Sequence, residues 1–198
     1  MTPQTIITLA RHILQDTDAA NYRAANDELV LYVNAGLAEL VMLRPDWFTT
    51  TGHIECVAGE VEQTITFAEA VALVDVIGIH DGDAVLPFDF GTMQAFHPSW
   101  KADTAAQAKQ WVAHPADPLR FYIHPKAPAS QLIDVRYVRN PAAVALTDTI
   151  TDVPATAEPM LVDYVVYRAE SKDAEHVLSQ RAGMYYASFV AKTKGGTA

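Results

Sequence analysis

A single cysteine, Cys56, stands in 198 residues, so no intramolecular disulfide can staple this chain and a cysteine zinc site would need other ligands. Its plainer role is that of a small apolar strand residue. Basic residues are also scarce. Fourteen Lys and Arg face 24 Asp and Glu, a formal net charge of −10, which argues against a surface built to neutralise phosphates. No apolar run approaches the roughly 18 residues of a membrane span, so no membrane partner is expected. The start, Met1-Thr2-Pro3-Gln4, lacks the basic and apolar regions of a signal peptide; the chain is expected to stay in the cytoplasm unless something else carries it out. Neither Gly-x-Gly-x-x-Gly nor a P-loop occurs, which removes the usual phosphate cradles. Repeats and low-complexity tracts are absent as well.

Half of the residues are apolar and 19% are charged, the balance of a globular protein rather than a disordered one. A chain this long buries about 70% of the surface its unfolded form would expose. Thr2 as cap and Pro3 at the first helical position open a helix whose apolar positions are Ile6, Leu9, Ala10, Ile13 and Leu14, ending near Asp16. A second helix starts at Asn26-Asp27-Glu28, with a cap and an acidic first turn suited to the helix dipole. Leu29, Val33, Leu37, Leu40 and Val41 form its stripe, and Pro45 stops it after Arg44.

Near Gly52 the apolar period changes from 3.6 to 2. Val61, Ile65 and Phe67 alternate with polar neighbours, and Val71 to Ile79, apolar on both faces apart from Asp75, reads as a central covered strand. Asp81-Gly82 turns the chain into a partner strand, Val85 to Phe88. Phe90 to Phe96 reads as a helical turn. Further strands are read around Trp111, over Leu119 to His124 and over Leu132 to Val138. The expected class is α+β: a helical bundle from residues 1–49 and 157–193, an inserted antiparallel β-sandwich or barrel-like domain over 50–140, a crossover linker at 141–156, and a flexible tail at 194–198. Thr156 is the expected cap of one long returning helix reaching about Val190 unless Gly183 interrupts it.

Glu170, Asp173 and His176 on that helix are the sharpest chemical candidates, because carboxylates and an imidazole one turn apart supply half of a di-metal bundle site. The second Glu-x-x-His and the remaining carboxylates are missing, so no catalytic residue, metal or cofactor is expected. Ser171 and Lys172 diverge on a helix, and His53 and Cys56 fall on opposite faces of a strand. Asp81, Asp83 and Asp89 lack calcium-loop spacing. The seven histidines are scattered one per element and read as packing or surface groups. On a helical wheel Val162, Val166, Ala169, Val177 and Met184 share a face with Asp173, while Tyr164, Tyr167, Leu178, Tyr185 and Phe189 lie opposite. A helix apolar on two sides packs against two neighbours, one of which is open to being a second copy.

Four stretches, in order, resemble the adaptor or tail tubular protein A family of short-tailed phages: "NAGLAELVMLRPDWF" closing the second helix, "FHPSWKADTAAQAKQWV" around Trp100, "DPLRFYIHP" from Asp117 to Pro125, and "LVDYVVYRAESKDAEH", whose Tyr167-to-Asp173 run is the most distinctive. The resemblance implies a helical bundle with an inserted β domain, a ring of twelve copies between portal protein and tail nozzle or tubular protein, DNA passing through unbound on ejection, residence in the virion after assembly in the host cytoplasm, and no enzymatic activity. Arg44, Asp46, Val166, Tyr167, Arg168, Lys172 and Asp173 are then the expected subunit or portal interface. Another neck or tail-completion ring is the nearest alternative. A metal-dependent bundle oxidoreductase using Asp173 and His176, and a DNA-binding terminase-like module, are the readings from other classes.

Overall fold

The computed structural model describes residues 1–129, 131–172 and 179–195. It is an α+β chain that divides into two compact units, Met1–Phe48 with Pro141–Ala198, and Thr49–Asn140.

The first unit is helical. Helix α1 (Pro3–Leu14) begins where Thr2 and Thr5 cap one another reciprocally and ends at Gln15, whose φ of 56° turns the chain left-handed. Of the expected stripe Ile6 and Ala10 are buried, Ile13 and Leu14 are half-buried and Leu9 is exposed, while Ile7 and Arg11 join the buried face. Helix α2 (Asn26–Leu43) buries Leu29, Val33, Leu37, Leu40 and Val41 as expected. Asn26 is not its cap: Ala25 holds that position without a side-chain bond, and the Asn26 side chain instead accepts at Oδ1 from Arg11 Nη2 at 2.9 Å. The 141–156 segment is tied along this unit. Asn34 exchanges two hydrogen bonds with the Val144 backbone, Ile150 N–H donates to Met1, and Ile150 and Val153 are buried.

The returning chain corrects the expectation of one long helix. Helix α4 (Glu158–Lys172) and helix α5 (Ser179–Lys194) are separate. They run antiparallel: Lys192 meets Asp163, Phe189 meets Tyr164, Tyr186 meets Tyr167 and Arg181 meets Glu170. Gly183 lies inside α5, where an added Cβ would meet nothing within 4 Å, so it terminates nothing. Helix α4 packs on α1, α2 and α5, and Met160 to Val166 is buried without interruption. The two-sided apolar pattern is thus filled by this chain's own helices, as for any helix enclosed on all sides. Met184, grouped with Val166 on a continuous wheel, is exposed. Close approach of α2 to α4 needs Gly36, whose Cβ would stand 3.0 Å from the Tyr164 ring. Inside the interface Asp163 is buried yet satisfied: Ser188 Oγ and Lys192 Nζ both donate to its Oδ2 at 2.6 Å.

The second unit holds two sheets. Strands β1 (Thr49–Glu55), β7 (Leu132–Arg139) and β3 (Ala70–Ile79) form one in the order β1-β7-β3. Strands β2 (Glu62–Thr64), β6 (Arg120–His124), β5 (Gln110–Ala113) and β4 (Leu86–Pro87) form the other, β2-β6-β5-β4. A shared core of Ile54, Ile133, Val135 and Tyr137 from the first and Trp111, Phe121 and Ile123 from the second makes a sandwich, with no closed barrel among the described residues. Cys56 lies in that core, where burial pushes its thiol up to about 12.

Two strand expectations are corrected. Strand β3 is an edge, not a central strand. Its ladder to β7 is broken by three register shifts, and Val74 and Ile77 face outward, so bulges rather than burial manage its apolar run. The Asp81-Gly82 turn forms, with Ile79 N–H donating to Asp83 and Gly78 bridging Ala84, but the chain then crosses so that β4 pairs in parallel with β5. Helix α3 (Phe90–Phe96), capped by Asp89 as it accepts from Thr92 N–H, follows β4.

Candidate assembly surface

The residues expected at an interface fall at two ends of the helical unit. Arg44, the C-cap of α2, forks onto Asp46 with Nε and Nη2 at 2.9 and 2.8 Å, donates from Nη1 to the Thr193 carbonyl, and lies 4.3 Å over the Trp47 ring. That fork holds the Asp46 carboxyl below its usual range. At the other end Lys172 Nζ stands 2.7 Å from Glu28, and Arg168 lies over the Tyr32 ring at 5.3 Å. Glu28 is likewise held low, first by Lys172 and then by the Tyr32 hydroxyl. The two groups are separated by most of α2, roughly 24 Å at 1.5 Å per residue. Tyr167 is half-buried between Tyr164 and Tyr186. Val166 is 0% exposed and offers no surface to a neighbour. Asp173 and His176 lie outside the described residues. Glu170, the remaining member of that triplet, faces Arg181 Nε at 3.5 Å.

A surface that the sequence reading passed over runs along the outside of α2. Leu31 is 67% exposed and Met42 78%, and between them stand Ala38, exposed, and Ala35, half-buried. Positions 31, 35, 38 and 42 repeat at helical spacing, so this second apolar stripe lay in the sequence beside the buried one. A solvated helix face normally carries charge there.

At the α1 end of the unit a cavity of about 230 Å³ is lined by Arg23, Glu28, Tyr32, Glu170 and Lys172 among others. Its walls are mostly groups already engaged in ion pairs and hydrogen bonds, such as Lys172 on Glu28 and the Tyr32 hydroxyl on the same carboxylate at 2.6 Å. Beside α5, Tyr186 donates to Glu39 at 2.7 Å, and that bond, with burial, pushes its hydroxyl up to about 12; Tyr32 is also pushed up to about 12, by burial first and Glu28 second. A phenol whose folded pKa is raised stabilises fully below its unfolded value, roughly 10, and that contribution disappears as pH rises through the folded value. Melting temperature should therefore fall between about pH 10 and 12, and Tyr186→Phe should flatten part of that fall; thermal melts at stepped alkaline pH check it.

Two triplets of metal-ligating type occur in the sandwich unit: His53, His80 and Asp134, and His97, Asp103 and His124. Reading the histidines one element at a time missed both, because the fold, not the spacing, brings them together.

A family model described as SU10 adaptor protein matches residues 1–195. No curated protein matches the chain.

Proposed function

Because the chain belongs to the SU10 adaptor protein family, and is therefore a structural phage adaptor and virion component rather than an enzyme, we propose that it is the head-to-tail adaptor. Copies stand side by side in a ring between portal and tail proteins, and DNA passes through the ring. The family match over nearly the whole chain carries this reading. The outer stripe of α2 supports it, since Leu31 and Met42 are the kind of side chain that a neighbouring subunit covers. The net charge of −10 supports a conduit: an acidic subunit repeated around a channel repels phosphates instead of gripping them.

The test mixes the purified protein with the portal protein of the same phage and images the product by electron microscopy. A ring seated on the portal is the expected result. Leu31→Glu and Met42→Glu should fold normally, being exposed, and fail to complete the ring; Met184→Glu, exposed on α5, should assemble. No portal-bound ring from folded partners refutes the reading, and attachment to the tail protein alone would make this another neck ring. A ring formed equally by all three variants would keep the function and refute the face assigned to it.

A further inference from the structure

We propose that His97, Asp103 and His124 bind a divalent zinc-class ion that pins the α3 segment to strand β6. The three residues end three different elements. His97 follows α3, Asp103 follows the 3₁₀ turn Trp100–Ala102, and His124 closes β6. His97 Nε2 and His124 Nε2 converge on one oxygen, Asp103 Oδ2, at 2.6 and 2.8 Å. Two imidazoles and a carboxylate are a zinc ligand set, with a fourth position left for water.

His124 is held at both ring nitrogens: Nε2 faces Asp103 Oδ2, and Nδ1 lies 3.2 Å from Gln110 Oε1. A ligand histidine that donates its far N–H to an outer acceptor is the usual supporting arrangement of a metal site, and it fixes both tautomer and ring orientation. Asp103 is anchored at its backbone: its N–H donates to the Trp100 carbonyl at 3.2 Å and its own carbonyl accepts from Lys126 N–H at 3.1 Å. Trp100 itself is buried, with its ring 6.3 Å from that of His124. Tetrahedral ligands about 2.0–2.1 Å from zinc stand roughly 3.3 Å apart. The donors here must open by several tenths of an ångström, and His97 and Asp103, both part-exposed, are free to swing that far.

The second triplet also brings its ligand atoms within 4.8 Å of one another, but only one imidazole there, His80 through Nδ1 at 2.9 Å, is in hydrogen-bond reach of the carboxylate, Asp134. It serves as the competing site against which the first is tested.

The full chain, stripped with chelator, is titrated calorimetrically with Zn²⁺ at pH 7.5, and with Co²⁺ by visible absorption. The expected result is one equivalent bound, four-coordinate cobalt bands, and a raised melting temperature. Asp103→Asn and His97→Gln should each weaken binding by at least about 10–100-fold, the loss typical even of outer-shell changes, while His53→Gln should bind as wild type. His97→Gln replaces a part-exposed side chain, so it remains informative if Asp103→Asn melts early without metal. The proposal is overturned if wild type binds no stoichiometric Zn²⁺, if both variants bind as wild type, or if His53→Gln removes the ion.

Discussion

Val166→Asp is expected to unfold the helical unit at neutral pH. Val166 is 0% exposed on α4, a helix enclosed by α1, α2 and α5. The substitution removes about 1.5–3 kcal/mol of apolar burial. It also places a carboxylate where none of the basic groups that pair elsewhere on α4 and α5 is shown to reach: Lys192 already serves Asp163, Lys172 serves Glu28, and Arg181 faces Glu170. A buried unpaired ion costs several kcal/mol even after relaxation. The sum is comparable with the whole stability of a domain, about 5–15 kcal/mol. The sign with pH follows from the raised folded pKa of such an acid: the penalty vanishes below the unfolded value, about 3.9, and grows as pH rises toward the folded one. Val166→Ala, which leaves a cavity but no charge, should cost only about 1–3 kcal/mol. Circular dichroism melts of both variants at two pH values check this, and a Val166→Asp protein melting like wild type would remove Val166 from the core.

The second large effect concerns the connection between α1 and α2. Arg11 and Asp16, 5% and 6% exposed, pair through Nη1 and Oδ2. Arg11 Nη2 also donates to the Ala24 carbonyl at 2.8 Å and to Asn26, and the guanidinium lies 3.5 Å over the Tyr22 ring. Asp16 accepts in turn from Arg23 N–H at 3.0 Å. One buried pair thus holds both ends of a connector that has no regular structure of its own. Asp16→Ala leaves the guanidinium buried without its counter-charge, which typically costs about 3–5 kcal/mol. If the 198-residue chain melts as a whole, that lowers the melting temperature by roughly 6–20 °C, at 2–4 °C per kcal/mol. Replacing both partners, Arg11→Met with Asp16→Leu, should cost less than Asp16→Ala alone, because no charge is then stranded. Arg11→Lys should not substitute, since a point charge cannot reproduce the fork or the stacking. Denaturant titration of these variants together with the singles Arg11→Met and Asp16→Leu decides it, and additive single and double effects would contradict the coupling.

What the sequence disclosed divides along physical lines. Local signals were legible: Thr2-Pro3 opens α1, the stripe from Leu29 to Val41 is buried, Asp81-Gly82 turns the chain and Phe90–Phe96 is helical. So was the change of period that separates helices from strands. Features created by distant partners were not. The end of α4 carries no glycine or proline, and periodicity carries on past it, so one helix was read where two stand. Strand β3 is apolar on both faces like a central strand, yet within its sheet it pairs only with β7. Arg11 and Asp16 sit five apart, a spacing that no helical rule joins; the left-handed Gln15 brings them together. The family-like stretches owe part of their pattern to packing. Trp100 is fully enclosed, as are Phe121 and Ile123 of "DPLRFYIHP". Such residues report a shared fold more directly than a shared contact, which is why an interface drawn along the family-like stretch of α4 included the enclosed Val166.

The helical unit is split in sequence, Met1–Phe48 and Pro141–Ala198 flanking an insertion that is continuous from Thr49 to Asn140. During synthesis α1 and α2 leave the ribosome well before α4, the helix that touches both. Between Leu43 and Glu158 lie more than a hundred residues, on the order of 10 s of elongation at 5–20 residues per second. Through that interval Ile6, Val33 and Leu37 have no final partner, while the sandwich unit has its whole sequence in hand as soon as Asn140 emerges. The helices from Glu158 onward therefore decide the fate of Met1–Phe48. A nascent chain stalled before α4 should present two apolar helices to chaperones beside a β unit already able to form, and loss of the C-terminal helices should be read out first as aggregation through the N-terminus.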